Sequence, residues 1–135
     1  AGSLGAQLKT VEDIMITGTN IPFVNENLQM YKALKILSDK KLGILIVRNK
    51  KKLTSGIITD GEIRRFNQKN PNLHTLTADK IMTKNPIGID KNVLAAKALS
   101  IMNNKKITAL CVFKKNRKKT IGLIHMHNIL KANIS

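Results

Sequence analysis

Gly56-Ile57-Ile58-Thr59-Asp60-Gly61-Glu62-Ile63-Arg64-Arg65, GIITDGEIRR, changes character halfway along. Its first half is an apolar run that ends on a hydroxyl, and its second half is charged. A strand that stops at Thr59 and a helix that starts at Asp60 account for both halves. The Thr-x-x-Glu spacing of Thr59 and Glu62 fits a capping box: the hydroxyl accepts from the amide of Glu62, and the carboxylate reaches back to the amide of Thr59. Turned outward, the same residues would meet a phosphate and a sugar hydroxyl, with the helix amides and dipole behind them. Taken alone, the turn admits both readings.

The turn occurs twice. At an offset of about 65 residues, Ile14-Met15 aligns with Ile81-Met82, Ala33-Leu34 with Ala98-Leu99, and Lys40-Lys41 with Lys105-Lys106. Val47 likewise pairs with Val112, Gly56 with Gly122, and Ile63 with Ile129. The chain is two copies of one unit, each reading strand, helix, strand, strand, helix. In the first, Ile21 to Val24 is a short strand, and Leu28, Tyr31, Leu34, Ile36 and Leu37 give helical spacing. Ile44 to Val47 and Ser55 to Thr59 are strands, and a helix runs from about Asp60 to Asn67. The second repeats this at Ile87 to Ile89, Val93 to Asn104, Ala109 to Phe113, Ile121 to His125 and Met126 to Ala132. The fold class is α/β (α+β), with two helices flanking a three-stranded sheet in each copy. Residues 1–10 read as a linker, 11–70 as the first repeat, 71–77 as a connection and 78–135 as the second repeat. A unit of about 60 residues is marginal alone. The copies are therefore expected to pack sheet to sheet about an approximate twofold axis, with the equivalent turns beside one cleft.

With 135 residues and 42% hydrophobic composition, the chain suits one ordinary domain or two small units sharing a core. Its net charge of +16 makes nucleic acid and acidic membranes the first partners to weigh. The cations gather at Arg48-Asn49-Lys50-Lys51-Lys52 and Lys114-Lys115-Asn116-Arg117-Lys118-Lys119, both between apolar runs, where hairpin turns belong. Only Tyr31, Phe23, Phe66 and Phe113 are available for base stacking. The expectation is solvated turns, with neither a nucleic-acid nor a membrane partner. No apolar run approaches the roughly 18 residues that cross a bilayer. Cys111, the single cysteine, lies in the apolar run Ala109 to Phe113 and reads as a buried hydrophobe in a reducing, cytoplasmic setting. The start AGSLGAQL, without Met, suggests a piece of a longer parent.

The second copy of the turn reads Gly122-Leu123-Ile124-His125-Met126-His127-Asn128. Histidine is a poor N-cap. A His-x-His there points to something polar facing the turn. A metal would want a third ligand that the sequence does not place nearby, and His74 reads as a surface residue. The chain has no GxxxxGK or GxGxxG loop. No nucleophile sits beside a base. Binding is expected rather than catalysis, with no metal and no required cofactor.

These turns resemble those of the cystathionine-beta-synthase-type (CBS) domain pair. Its repeats end a strand with Gly, two apolar residues and Ser or Thr, then place an Asp three positions later. Here the first repeat carries Glu62 at that place, and the second carries His125 and Asn128. A closer similarity covers nearly the whole chain. Asp13-Ile14-Met15 with Thr17-Gly18 and Ile21-Pro22, then Leu42-Gly43, Thr59-Asp60-Gly61 with Arg64-Arg65, Ile81-Met82-Thr83 and His125-Met126-His127 resemble the C-terminal CBS pair of the bacterial D-arabinose-5-phosphate isomerase family. In that family an N-terminal sugar isomerase domain interconverts D-ribulose 5-phosphate and D-arabinose 5-phosphate for the lipopolysaccharide sugar Kdo. Gly2-Ser3-Leu4-Gly5 resembles the end of that domain.

The resemblance implies a non-catalytic regulatory module attached to an isomerase domain, assembling as a homo-oligomer through its CBS pairs. Its implied ligand is a nucleotide or nucleotide-sugar, either an adenine nucleotide or CMP-Kdo. Carried over by position, Thr59, Asp60, Gly61 and Glu62 form one half-site, and His125, Met126, His127 and Asn128 the other. Leu42, Gly43 and Ile44 line the cleft opposite Ile107, Thr108 and Ala109, while Thr17 and Thr83 close it. Arg64 and Arg65, one turn into the helix, could meet a phosphate or carboxylate, and a surface role fits one of them equally, since adjacent helical residues point about 100° apart. A scaffold that only holds isomerase domains together is the alternative.

Overall fold

Ile44 to Val47 are all buried, none more than 4% exposed, as an unbroken apolar run in a central strand requires. The computed structural model describes residues 4–134; Gly2 and Ser3 of the leading segment lie outside them. Among the described residues the order is α1 (Leu4–Gln7), α2 (Val11–Ile14), β1 (Phe23–Asn25), α3 (Met30–Lys40), β2 (Ile44–Arg48), β3 (Thr54–Thr59) and α4 (Asp60–Lys69). There follow α5 (Ala78–Ile81), β4 (Thr83–Lys84), β5 (Gly88–Asp90), α6 (Ala95–Lys105), β6 (Ala109–Phe113), β7 (Gly122–His125) and α7 (Met126–Lys131). No described helix is long and apolar enough to cross a membrane.

The sheets are ordered β1-β2-β3-β4 and β5-β6-β7. β1 runs parallel to β2, and β5 to β6, which demands crossovers; α3 and α6 supply them. β2 and β3, like β6 and β7, are antiparallel hairpins. An asparagine shapes each hairpin. Asn49 Oδ1 accepts from the amides of Lys51 (2.9 Å) and Leu53 (3.0 Å), and Asn116 Oδ1 accepts from that of Lys118 (2.9 Å). The stripe that α3 buries is Met30, Ala33 and Leu37. Tyr31, which the sequence reading places on that apolar face, is instead 51% exposed, because a stripe at i, i+3 and i+7 turns the next residue outward.

The compact units do not follow the order of the repeats. One is Pro22–Pro86; the other joins Ile87 onward to the chain up to Ile21. α2 opens the first repeat, yet Val11 is fully buried in the core of Ile89, Ala98, Met102 and Leu110. Its partners there are also polar: the Val11 amide donates to Val93 O at 2.8 Å, and Lys91 pairs with Glu12 at 2.8 Å. α5 opens the second repeat and buries Ala78 and Ile81 with Val24, Leu45 and Ile58. Each leading segment then adds an edge to the sheet it has joined. Ile16 and Leu123 exchange backbone hydrogen bonds of 2.8 and 3.0 Å, and β4 pairs Thr83 with Ile57. The Pro22–Pro86 sheet thus has four strands rather than the expected three. Two residues of edge strand carry no alternation that a sequence pattern can display.

The matched glycines explain how these edges come so close. A Cβ at Gly56 would stand 2.5 Å from Thr83 O, and one at Gly122 would stand 2.4 Å from Met15 Sδ.

Candidate functional site

At the first turn, β3 delivers Thr59 to the head of α4. Glu62 N donates to Thr59 Oγ1 at 3.3 Å, Thr59 N donates to Glu62 Oε1 at 3.1 Å, and the Thr59 hydroxyl donates to the same oxygen at 2.9 Å. The inward reading of this turn is thus the geometry present. Glu62 is turned back onto the cap, with one carboxylate oxygen committed to Thr59. Asp60 stays exposed, and its amide donates to Gly43 O at 3.1 Å, which seats Leu42, Gly43 and Ile44 beside the turn. Gly43 has φ +71°, a conformation that favours glycine, and a Cβ on it would lie 3.1 Å from Asp60 Oδ2. Arg65 folds back over the helix start, with Nη1 3.2 Å from where a Gly61 Cβ would be. Arg64 is exposed one residue earlier, about 100° around the helix.

At the second turn, β7 delivers His125, 7% exposed, to the head of α7. His125 Nδ1 accepts from the amide of His127 at 3.1 Å, so histidine caps this helix after all. The expectation of a poor cap fails because burial holds the ring against the amide, a tertiary constraint that intrinsic cap preferences omit. The rings of His125 and His127 stack, with centroids 4.9 Å apart and planes within 13°. Met126 N donates to Thr108 O at 2.8 Å, which brings Ile107, Thr108 and Ala109 beside the turn just as Gly43 lies beside the first. Asn128 Oδ1 is buried and has no hydrogen-bond partner among the described residues.

The crossed segments sort the remaining candidates. Thr83 pairs with Ile57, two residues before Thr59, so it joins the first turn although it introduces the second repeat. Thr17 follows Ile16, the partner of Leu123, and joins the second turn. Both threonines are exposed. Sequence reasoning missed Ser38 and Lys41, which with Leu34, Leu37, Gly43 and Asp60 line a cavity of about 440 Å³ next to the first turn. Lys41 offered a signal, since the Lys40-Lys41 pair recurs as Lys105-Lys106, and both second lysines close their helices with positive φ, 59° and 57°.

Elsewhere, Cys111 is 6% exposed, and burial pushes its thiol up to about 11 against a smaller downward pull from Thr120. His74 is exposed. No group of three or more His, Cys, Asp or Glu that could hold a metal occurs among the described residues.

Comparison with known proteins gives this pair of turns a family. The CBS domain profile matches residues 11–69 and 78–135. Arabinose 5-phosphate isomerase KdsD of Yersinia pestis is 34% identical over 134 residues, covering 98% of this chain and 40% of the relative. An uncharacterized protein of Rickettsia prowazekii, RP505, is 37% identical over 134 residues, covering 99% of this chain and 41% of that one. The chain thus spans about two fifths of the curated relatives it matches. Among solved structures, CBSX2 of Arabidopsis thaliana in complex with AMP superposes with a TM-score of 0.80 at 22% identity, covering 92% of this chain and 95% of that one. With two matched repeats that together span most of its length, the chain belongs to the CBS domain family, as a tandem pair related to the one in KdsD.

Proposed function

We propose that this CBS pair is the non-catalytic regulatory part of a cytoplasmic D-arabinose-5-phosphate isomerase and binds a nucleotide or nucleotide-sugar at its strand-to-helix turns. The observation that carries the reading is the buried Asn128 Oδ1, which has no hydrogen-bond partner among the described residues, in the same turn as the stacked His125 and His127. Leaving a buried acceptor unmet costs about 1–3 kcal/mol, and a ligand hydroxyl or amine would recover it. The AMP complex of a protein of the same fold favours an adenine nucleotide. Kinship with KdsD favours CMP-Kdo, whose phosphate and carboxylate suit a chain of net charge +16. Control of the isomerase would follow if the ligand bound one conformation of the longer enzyme more tightly than another.

The test is thermal unfolding with AMP, ATP, CMP and CMP-Kdo at matched ionic strength. A ligand at about a hundred times its Kd adds roughly 2.7 kcal/mol, a shift of several degrees. Asn128→Ala should abolish the response while the unliganded transition stays cooperative. A second reading, a scaffold that joins isomerase domains, draws on the exposure of Tyr31 (51%) and Leu130 (50%). No response to any of the four ligands would favour it.

A further inference from the structure

The two basic hairpins are not absorbed by the nucleotide reading. β2 carries the chain from Ile44, beside the first turn, to Arg48 at the hairpin, and at about 3.3 Å per residue the two ends are ~13 Å apart. β6 separates Thr108 from Lys114 in the same way. The concentrated charge therefore lies at the far end of each sheet from the candidate nucleotide site. The two tips are one motif. Asn49-Lys50-Lys51-Lys52 and Asn116-Arg117-Lys118-Lys119 share the asparagine-ordered turn, and the fourth residue donates to the asparagine carbonyl at 2.9 Å in one and 3.0 Å in the other. Lys52 holds φ +64°, where glycine or asparagine would sit more easily, yet a cation stands there. Lys50, Lys51, Lys52, Lys114, Lys115, Lys118 and Lys119 are all exposed, and none forms an ion pair among the described residues.

What these tips could meet follows from which cations face out. The arginines are turned onto aromatic rings of their own sheets: Arg48 lies 3.6 Å from the Phe23 centroid and Arg117 5.0 Å from that of Phe113. Each stack occupies an aromatic ring on which a base would otherwise lie. The outward charge is mostly lysine, a hydrated point charge suited to a diffuse anionic surface. We propose that the Asn49–Lys52 and Asn116–Lys119 hairpins form electrostatic docking points for a bilayer rich in anionic phospholipid headgroups. This departs from the expectation that they are merely solvated turns, because an ordered tip with every lysine unpaired concentrates charge in a way that composition alone does not reveal.

The test is co-sedimentation of the 135-residue chain with vesicles about a quarter phosphatidylglycerol in phosphatidylcholine, in ~0.15 M salt where the screening length is about 8 Å. Binding is expected to these vesicles and not to pure phosphatidylcholine. Lys118→Gln/Lys119→Gln and Lys50→Gln/Lys51→Gln should each weaken it about 25-fold, fivefold per lysine, the equivalent of ~1 kcal/mol per basic residue. Lys105→Gln/Lys106→Gln removes the same charge at the other end of β6 and should change binding by less than about threefold at this salt. Circular dichroism checks that all variants fold. Equal losses in all three variants would reduce the effect to net charge and overturn the proposal. So would absence of binding, or tighter binding to polyuridylate than to the vesicles, which would assign the hairpins to nucleic acid.

Discussion

Gly56→Ala and Gly122→Ala are the same substitution at matched positions of the two repeats, and the structure gives them different costs. At Gly56 the new methyl would meet a backbone carbonyl, Thr83 O, at 2.5 Å, with Met82 Sδ at 2.9 Å behind it. A Cβ does not settle closer than 3.0 Å, so β4 must retreat by at least half an ångström. That stretches the β3–β4 ladder beyond good hydrogen-bond distance, which costs about 1 kcal/mol per bond on top of an overpacking cost of ~1–3 kcal/mol. At Gly122 the nearest atom is Met15 Sδ at 2.4 Å, the mobile end of a side chain with three rotatable bonds, and the nearest backbone atom, Ile16 O, is 3.1 Å away. Neither glycine has positive φ, so both variants regain about 0.4–1 kcal/mol from a stiffer unfolded chain. The net expectation is a loss of about 3 kcal/mol for Gly56→Ala and about 1 kcal/mol for Gly122→Ala. At this chain length these correspond to falls in Tm of roughly 10 °C and 4 °C. Double-mutant cycles read by thermal melts separate the causes: Met15→Ala should relieve Gly122→Ala, whereas Met82→Ala should leave most of the Gly56→Ala cost in place. Equal losses for the two glycines, or full rescue of Gly56→Ala by Met82→Ala, would refute the reasoning.

Val11→Ala should cost about 2 kcal/mol and, in native-state hydrogen exchange, should deprotect residues 88–134 rather than the sequence-adjacent 22–86; loss confined to 22–86 would contradict the crossed packing. The Cys111 thiol, held near 11 against an ordinary 9.0, carries about a hundredfold less thiolate than an unfolded one at any pH below 9. Its alkylation in the native protein should be slower by at least that factor, and a rate equal to that in denaturant would count against it. The Asp13 carboxylate is held below its ordinary 3.8, chiefly by the Thr10 amide and then by the Thr10 hydroxyl. A lowered folded value adds stability above pH 3.8 that disappears as pH falls through it, so Asp13→Asn should flatten the acid limb of Tm between about pH 5 and pH 2.

What the sequence could say depended on how far apart the interacting residues lie. The hairpins, the crossover helices and the capping box of Thr59 and Glu62 rest on local spacing and are legible in the one-dimensional pattern. The doubled turn was legible too, because both copies carry their residues at one offset. The fourth strand was not, since β4 has only two residues, nor was the exchange of α2 and α5, since Ile16 meets Leu123 across more than a hundred residues, a reach no local pattern encodes. Gly56 and Gly122 were visible as matched residues, but their reason lies in contacts with Thr83 and Met15 that the pattern does not show. That His125 caps α7 was hidden for a related cause: a cap preference describes a helix end in water, and this one is packed.

The crossed segments also determine where a mechanical load would enter the molecule. The residues before Pro22 are bonded not into the rest of the repeat they open but into the later one, through Val11, the Lys91–Glu12 pair and the Ile16–Leu123 bridge. Tension applied ahead of Lys9 is therefore borne first by the contacts of Lys9 to Glu12 with residues 91–95, then by the edge of β7, two residues from His125, and reaches β1 only after both have given way.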